Sequence, residues 1–137
     1  ILLPGRKYEV GLIKNGIPGI VSRELPAAED LPTETIARIT FLVRNIIAGP
    51  TEEEQRQGYV SVVSTATIIK QCRLIARDDC QIVVLEFSRQ VLDNLTGWKV
   101  KLLYDQMFWT LKYSEIPNLC GCKLLVDGKT LNAYLRE

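Results

Sequence analysis

Histidine is absent from this chain. The commonest general base and the commonest zinc ligand are thereby removed, and neither a Ser-His nor a Cys-His nucleophile pair can be assembled. The glycines lie singly at turns and helix ends, so no phosphate-binding loop or dinucleotide fingerprint exists. No apolar run approaches the roughly 20 residues that cross a bilayer as a helix. Neither sign of charge dominates, with 17 Lys and Arg set against 16 Asp and Glu. Because the basic residues are scattered, nucleic acid is excluded as a first expectation, since phosphate binding needs clustered positive charge. No catalytic residue, catalytic metal or organic cofactor is expected from this inventory.

Apolar residues at 47% and charged residues at 24% match an ordinary globular protein. A length of 137 residues suffices for a buried core and one domain. The chain opens on Ile1 rather than Met, which leaves room for a signal peptide or anchor upstream. The four cysteines are an even number but too few for a disulfide-dense scaffold. The spacing of Cys120-Gly121-Cys122 fits neither a zinc knuckle nor a thioredoxin-like motif, so buried thiols or one or two structural disulfides are expected.

Two short apolar segments flank Asn15-Gly16, a dipeptide suited to a tight turn, and predict an N-terminal hairpin over about 7–25. Pro18 places its second arm at an edge. Ile36, Ile39, Val43, Ile46 and Ile47, widened by Leu42, recur at helical spacing. Asp30 or Thr33 can cap that helix, while Gly49-Pro50 stops it. Thr51 with Glu54 forms a capping-box pattern, predicting a short helical turn to Gly58. Arg77-Asp78-Asp79 separates two strand-like arms, 67–76 and 80–87, rich in β-branched residues, and predicts an antiparallel hairpin. Val100, Leu103, Met107 and Leu111, joined by Phe108, mark a second helix from Gly97 to about Tyr113. Strand 124–126, a turn at Asp127-Gly128 and a final arm over 130–137 close the chain. The order implies an α+β fold, a small mainly antiparallel sheet with two main helices on one face.

Each cluster of polar residues has an ordinary structural cause. Glu52-Glu53-Glu54 suits a helix start, where negative charge meets the positive end of the dipole. Asp78-Asp79 suits a turn better than a calcium site, which wants six or more oxygens. Trp109 falls off the core stripe of its helix and is a candidate anchor for a partner or a sugar ring, although large aromatics are mostly buried, here under the C-terminal hairpin. If Val83, Leu85 and Phe87 face the helices, alternation puts Ile82, Val84 and Glu86 on the other face. Two aliphatic side chains there need a cover, either the N-terminal hairpin or a second protein. Ile82, Val84 and Trp109 are therefore the candidate interface residues.

The helix ending Ile46-Ile47-Ala48-Gly49-Pro50-Thr51 before an acidic turn, Gly58, Phe87-Ser88, Thr110-Leu111, Ile116-Pro117 and Val126-Asp127-Gly128 together resemble the GerM domain of bacterial sporulation, germination and envelope proteins. The likeness runs from about Tyr8 to Lys129. It departs at Ser64-Thr65, where the family usually has a proline, at Glu86, and in the segment carrying Cys-Gly-Cys. The resemblance implies a fold like the ring-building modules of secretion and sporulation machines. It also implies an extracytoplasmic setting, in the periplasm or at the cell surface, with the membrane reached only through an anchor outside this chain. A non-enzymatic domain that joins a protein partner or itself is the function implied. The alternative is an accessory domain that binds peptidoglycan or cell-wall glycan.

Overall fold

The computed structural model describes residues 7–25, 32–93, 95–114 and 116–134. Strands β1 (Lys7–Lys14) and β2 (Ile17–Glu24) form the expected hairpin. Asn15 and Gly16 in its turn both have positive φ, the backbone that matches a two-residue turn to the twist of its strands.

Helix α1 (Thr35–Ala48) buries Ile39, Leu42, Val43, Ile46 and Ile47, the stripe read from spacing. Its cap is Glu34 rather than Thr33, because the longer carboxylate accepts from the amides of both Ile36 and Ala37. Asp30 lies outside the described residues. Gly49 ends the helix at φ 84°, its amide returning to the carbonyls of Asn45 and Ile46. A side chain is strained at that φ, and Pro50 has no amide with which to continue. Helix α2 (Glu52–Arg56) starts at once, with the capping box between Thr51 and Glu54 complete in both directions.

Strands β3 (Tyr59–Val60), β4 (Ile69–Arg77) and β5 (Cys80–Phe87) follow, then α3 (Gly97–Lys112), β6 (Leu119–Val126) and β7 (Lys129–Thr130). Strands β4 and β5 are the expected hairpin, turning at Asp78-Asp79 with Asp78 at φ 53°. Helix α3 is the crossover that lets β6 lie parallel to β5, as parallel neighbours require. The final arm differs from expectation. Pairing stops at Thr130, and a 3₁₀ turn (Leu131–Tyr134) takes Leu131 into the core. The Tyr134 hydroxyl donates to the Val126 carbonyl at 2.6 Å and holds this turn against β6.

The fold is α+β, with α1 and α3 on one face of a four-stranded sheet ordered β4-β5-β6-β7. Val83, Leu85 and Phe87 meet Leu103, Met107 and Leu111 in one contiguous core. A second, three-stranded sheet, ordered β2-β1-β3, contains the N-terminal hairpin. Its β1 is covered on both faces, so burial runs unbroken from Val10 to Ile13 instead of alternating. Tyr8 faces α1, its ring edge on Phe41 and its hydroxyl donating to Asn45.

Gly11 meets α3. Strand β3 pairs with β1 only at Ile13 and Lys14, so the polar groups of Gly11 turn to side chains of the helix. The Gly11 amide donates to Thr110 Oγ1 at 2.7 Å, and its carbonyl accepts from Gln106 Nε2 at 3.0 Å. Gln106, with no exposed surface, also donates to Ser61 Oγ and accepts from the Val62 amide. One buried amide side chain thus joins β1, the segment after β3, and α3.

Candidate functional site

Ile82 and Val84 lie where alternation puts them, on the face of the four-stranded sheet turned away from α1 and α3. The N-terminal hairpin does not cover that face. Its contacts are with α1 and α3, on the other side of the sheet. Val84 is nevertheless only 2% exposed. Arg73 on β4 and Lys123 on β6 stand directly across from it and are exposed, the arrangement in which long basic side chains lay aliphatic stems along an apolar neighbour while the charges reach water. Ile82 is half-buried, and Ile75, its neighbour on β4, is 40% exposed. Leu125 completes the row beside Glu86, whose carboxylate accepts from the Gly128 amide. The result is an aliphatic strip framed by Arg73, Arg77 and Lys123.

This face ends at an open edge. Strand β4 spans nine residues and, among the described residues, pairs only with β5, so no described strand lies beside its outer amides and carbonyls. Such an edge is a template for strand addition, which basic side chains along it restrain.

Trp109 belongs to a different surface. It is 37% exposed on α3, and within the described C-terminal turn it is Leu131 that enters the core. Its ring stacks on Tyr113 at 6.1 Å, with Lys112 Nζ 4.9 Å above it. The three candidate interface residues therefore do not form one patch: Ile82 and Val84 share a sheet face, while Trp109 sits on a helix beyond the core.

Cys80 and Cys120 form a disulfide that ties the start of β5 to β6. It lies beside the register shift between Gln81 and Ile82, where β6 carries an extra residue. Cys72 and Cys122 remain thiols on the helix-facing side. Burial pushes the Cys122 thiol up to about 12 and raises that of Cys72, so neither is a ready nucleophile at neutral pH. Protein recovered from an oxidising compartment should gain two hydrogens in intact mass on reduction, and four free thiols before reduction would contradict the bridge.

The acidic run divides by role. Glu52 and Glu53 are exposed and pair with Arg56. Glu54 instead turns inward to Arg23 of β2, with Nη2–Oε1 at 2.7 Å and Nε–Oε2 at 3.0 Å. Arg23 also donates to the Gly49 carbonyl and to Asn45 Oδ1. The hydrogen bonds from Arg23 hold the Glu54 carboxyl below the usual carboxylate range. Burial opposes the charge on Arg23, but the hydrogen bond and attraction to Glu54 outweigh it and raise its pKa. The cluster is a structural clamp, and sequence reading missed it because nothing local to Glu54 points to residue 23. Among the described residues, no three His, Cys, Asp or Glu side chains converge as a metal site requires.

The model of the Germane family, described as sporulation and spore germination, matches residues 15–132. The chain belongs to the Germane family. Structural similarity agrees with this membership. The tandem GerMN domains of the sporulation protein GerM from Bacillus subtilis superpose with a TM-score of 0.62 at 17% identity, over 91% of this chain and 40% of that one. The first GerMN domain alone gives 0.61 at 19% identity, over 90% and 84%. A predicted lipoprotein from Clostridium perfringens gives 0.54 at 17% identity, over 90% and 75%. No curated protein matches the sequence. This Germane chain thus spans less than half of the tandem protein it superposes on, and the likeness at these identities is one of fold. No helix among its described residues is long and apolar enough to cross a membrane.

Proposed function

We propose that this Germane domain is a non-catalytic, extracytoplasmic interaction module. It associates with another protein, or with a second copy, through the outer face of the four-stranded sheet and its β4 edge. The aliphatic strip of Ile75, Ile82 and Leu125 around the enclosed Val84, beside the open outer edge of the nine-residue β4, supports this reading. Strand addition supplies main-chain hydrogen bonds, and side chains on the adjoining face supply selectivity. Family membership in sporulation and germination supports a role outside metabolism, and the lipoprotein neighbour supports a place outside the cytoplasm.

Ile75→Lys and Ile82→Lys test the face. Both positions retain solvent contact, so stability should change by only about 0.5 kcal/mol, as at ordinary surface sites. Association read by sedimentation velocity, or by co-purification with an envelope partner, should be lost. Unchanged association with both variants folded would reject this face as the interface. Val84→Lys is a poorer test, because that side chain is enclosed and its replacement disturbs packing as well.

A further inference from the structure

A groove of about 540 Å³ opens away from the sheet face described above, between the Val60–Thr65 segment and the first turn of α3. Its volume falls within the roughly 300–1,000 Å³ of small-molecule sites. Trp98, the second residue of α3, lines it and is 67% exposed. Val60 on the opposite wall is also largely in water, while Ile13 and Leu102 form apolar floor. Ser64, Thr65, Asp93 and Lys99 supply the polar lining.

Two of these polar groups are unspent. Neither the Asp93 carboxylate nor the Lys99 ammonium makes an ion pair among the described residues. Lys99 instead lies 5.6 Å from the centre of the Trp98 ring. One wall is also held in place before any ligand arrives, since Gln106 fixes Ser61 and the Val62 amide. A pre-ordered wall lowers the entropy cost of binding.

We propose that this groove binds a saccharide, with the C–H face of one sugar ring on the Trp98 indole and Val60, and with its hydroxyl or acetamido groups met by Asp93, Lys99 and Thr65. An amphipathic ring matches the lining: a flat aromatic platform and an aliphatic wall, bordered by hydroxyls and one charge of each sign. A purely apolar peptide anchor would leave Asp93 and Lys99 desolvated without partners, which is costly. A phosphate-rich ligand would meet Asp93 as a like charge. This gives the glycan alternative a place in the fold, and it stands independently of the sheet-face interface.

Trp109→Phe leaves Trp98 as the sole tryptophan, so its fluorescence reports the groove directly. Titration of that variant with N-acetylglucosamine tri- and tetrasaccharides should give a saturable change. Calorimetry on the otherwise native chain should show binding at least tenfold weaker for Trp98→Ala and several-fold weaker for Asp93→Asn. Both side chains are exposed, so folding should be retained, which circular dichroism checks. Purified peptidoglycan should co-sediment the native chain and not Trp98→Ala. Three results would each overturn the proposal: no saturable response up to millimolar oligosaccharide together with no co-sedimentation, binding undiminished in Trp98→Ala, or a response to apolar peptide in place of saccharide.

Discussion

Replacing Glu54 by glutamine should lower stability by about 3 kcal/mol, the scale seen when one member of an enclosed ion pair is removed. For a chain of this length that corresponds to a fall in Tm on the order of 10 °C. Glutamine can still accept from the Thr51 amide, as capping boxes allow. The loss therefore reports the pair with Arg23, whose side chain would stay at 10% exposure with its charge unmatched. Arg23→Met should cost a similar amount, and the double variant less than the sum. The pH dependence has a definite sign. The folded carboxyl has a lowered pKa, so its contribution is complete above the unfolded glutamate value of about 4.3 and is lost as pH falls through the folded value. The native chain should lose stability on that acid limb more steeply than Glu54→Gln. Parallel acid limbs, or an unchanged melting temperature at pH 7, would show that the pair contributes little.

Gln106→Leu should cost at least as much. Leucine keeps most of the volume but orphans the Gly11 carbonyl and the Val62 amide, each at about 1–3 kcal/mol when buried without a partner. Gly11→Ala approaches the same junction from the other side. A Cβ there would lie 2.5 Å from the backbone oxygen of Gln106 and 2.9 Å from Thr110 Oγ1. Backbone cannot yield as a flexible side chain can, so β1 and α3 must separate. Urea unfolding should show both variants strongly destabilised, with a similar m-value if the denatured state is unaltered. A Gly11→Ala midpoint equal to the native one would mean that the helix does not rest on this strand.

Features written within a few residues were legible in the sequence. Asn15-Gly16, the stripe of α1, Gly49-Pro50 and the Thr51/Glu54 box each act through local backbone geometry, and each stands where expected. Glu34 displaced Thr33 as the cap within that same range, a choice between two neighbouring acceptors. What stayed hidden depends on distant partners. Glu54 reads as a cap until Arg23 is brought beside it. Gln106 reads as a polar interruption in a helix stripe until Gly11 and Val62 converge on it. Strand β3 has two residues and no pattern of its own, so nothing announced that the N-terminal hairpin would gain a third strand. The cysteine pairing likewise awaited the parallel register of β5 and β6. At the candidate surfaces, alternation placed Ile82 and Val84 correctly, but only the register put Arg73 and Lys123 on either side of Val84. Trp98 carries no signal of its own at the start of the second helix, and only the fold set it across from Val60.

The bond from Gln106 to Gly11 joins residues 95 positions apart, and it governs when the hairpin can settle. On a ribosome adding about 5–20 residues per second, the hairpin emerges on the order of 5–20 s before its helical partner exists. Through that interval Val10, Leu12 and Ile13 have no complete shelter. The hairpin is thus made well before it is secured, and its apolar ribbon stays open until α3 is in place.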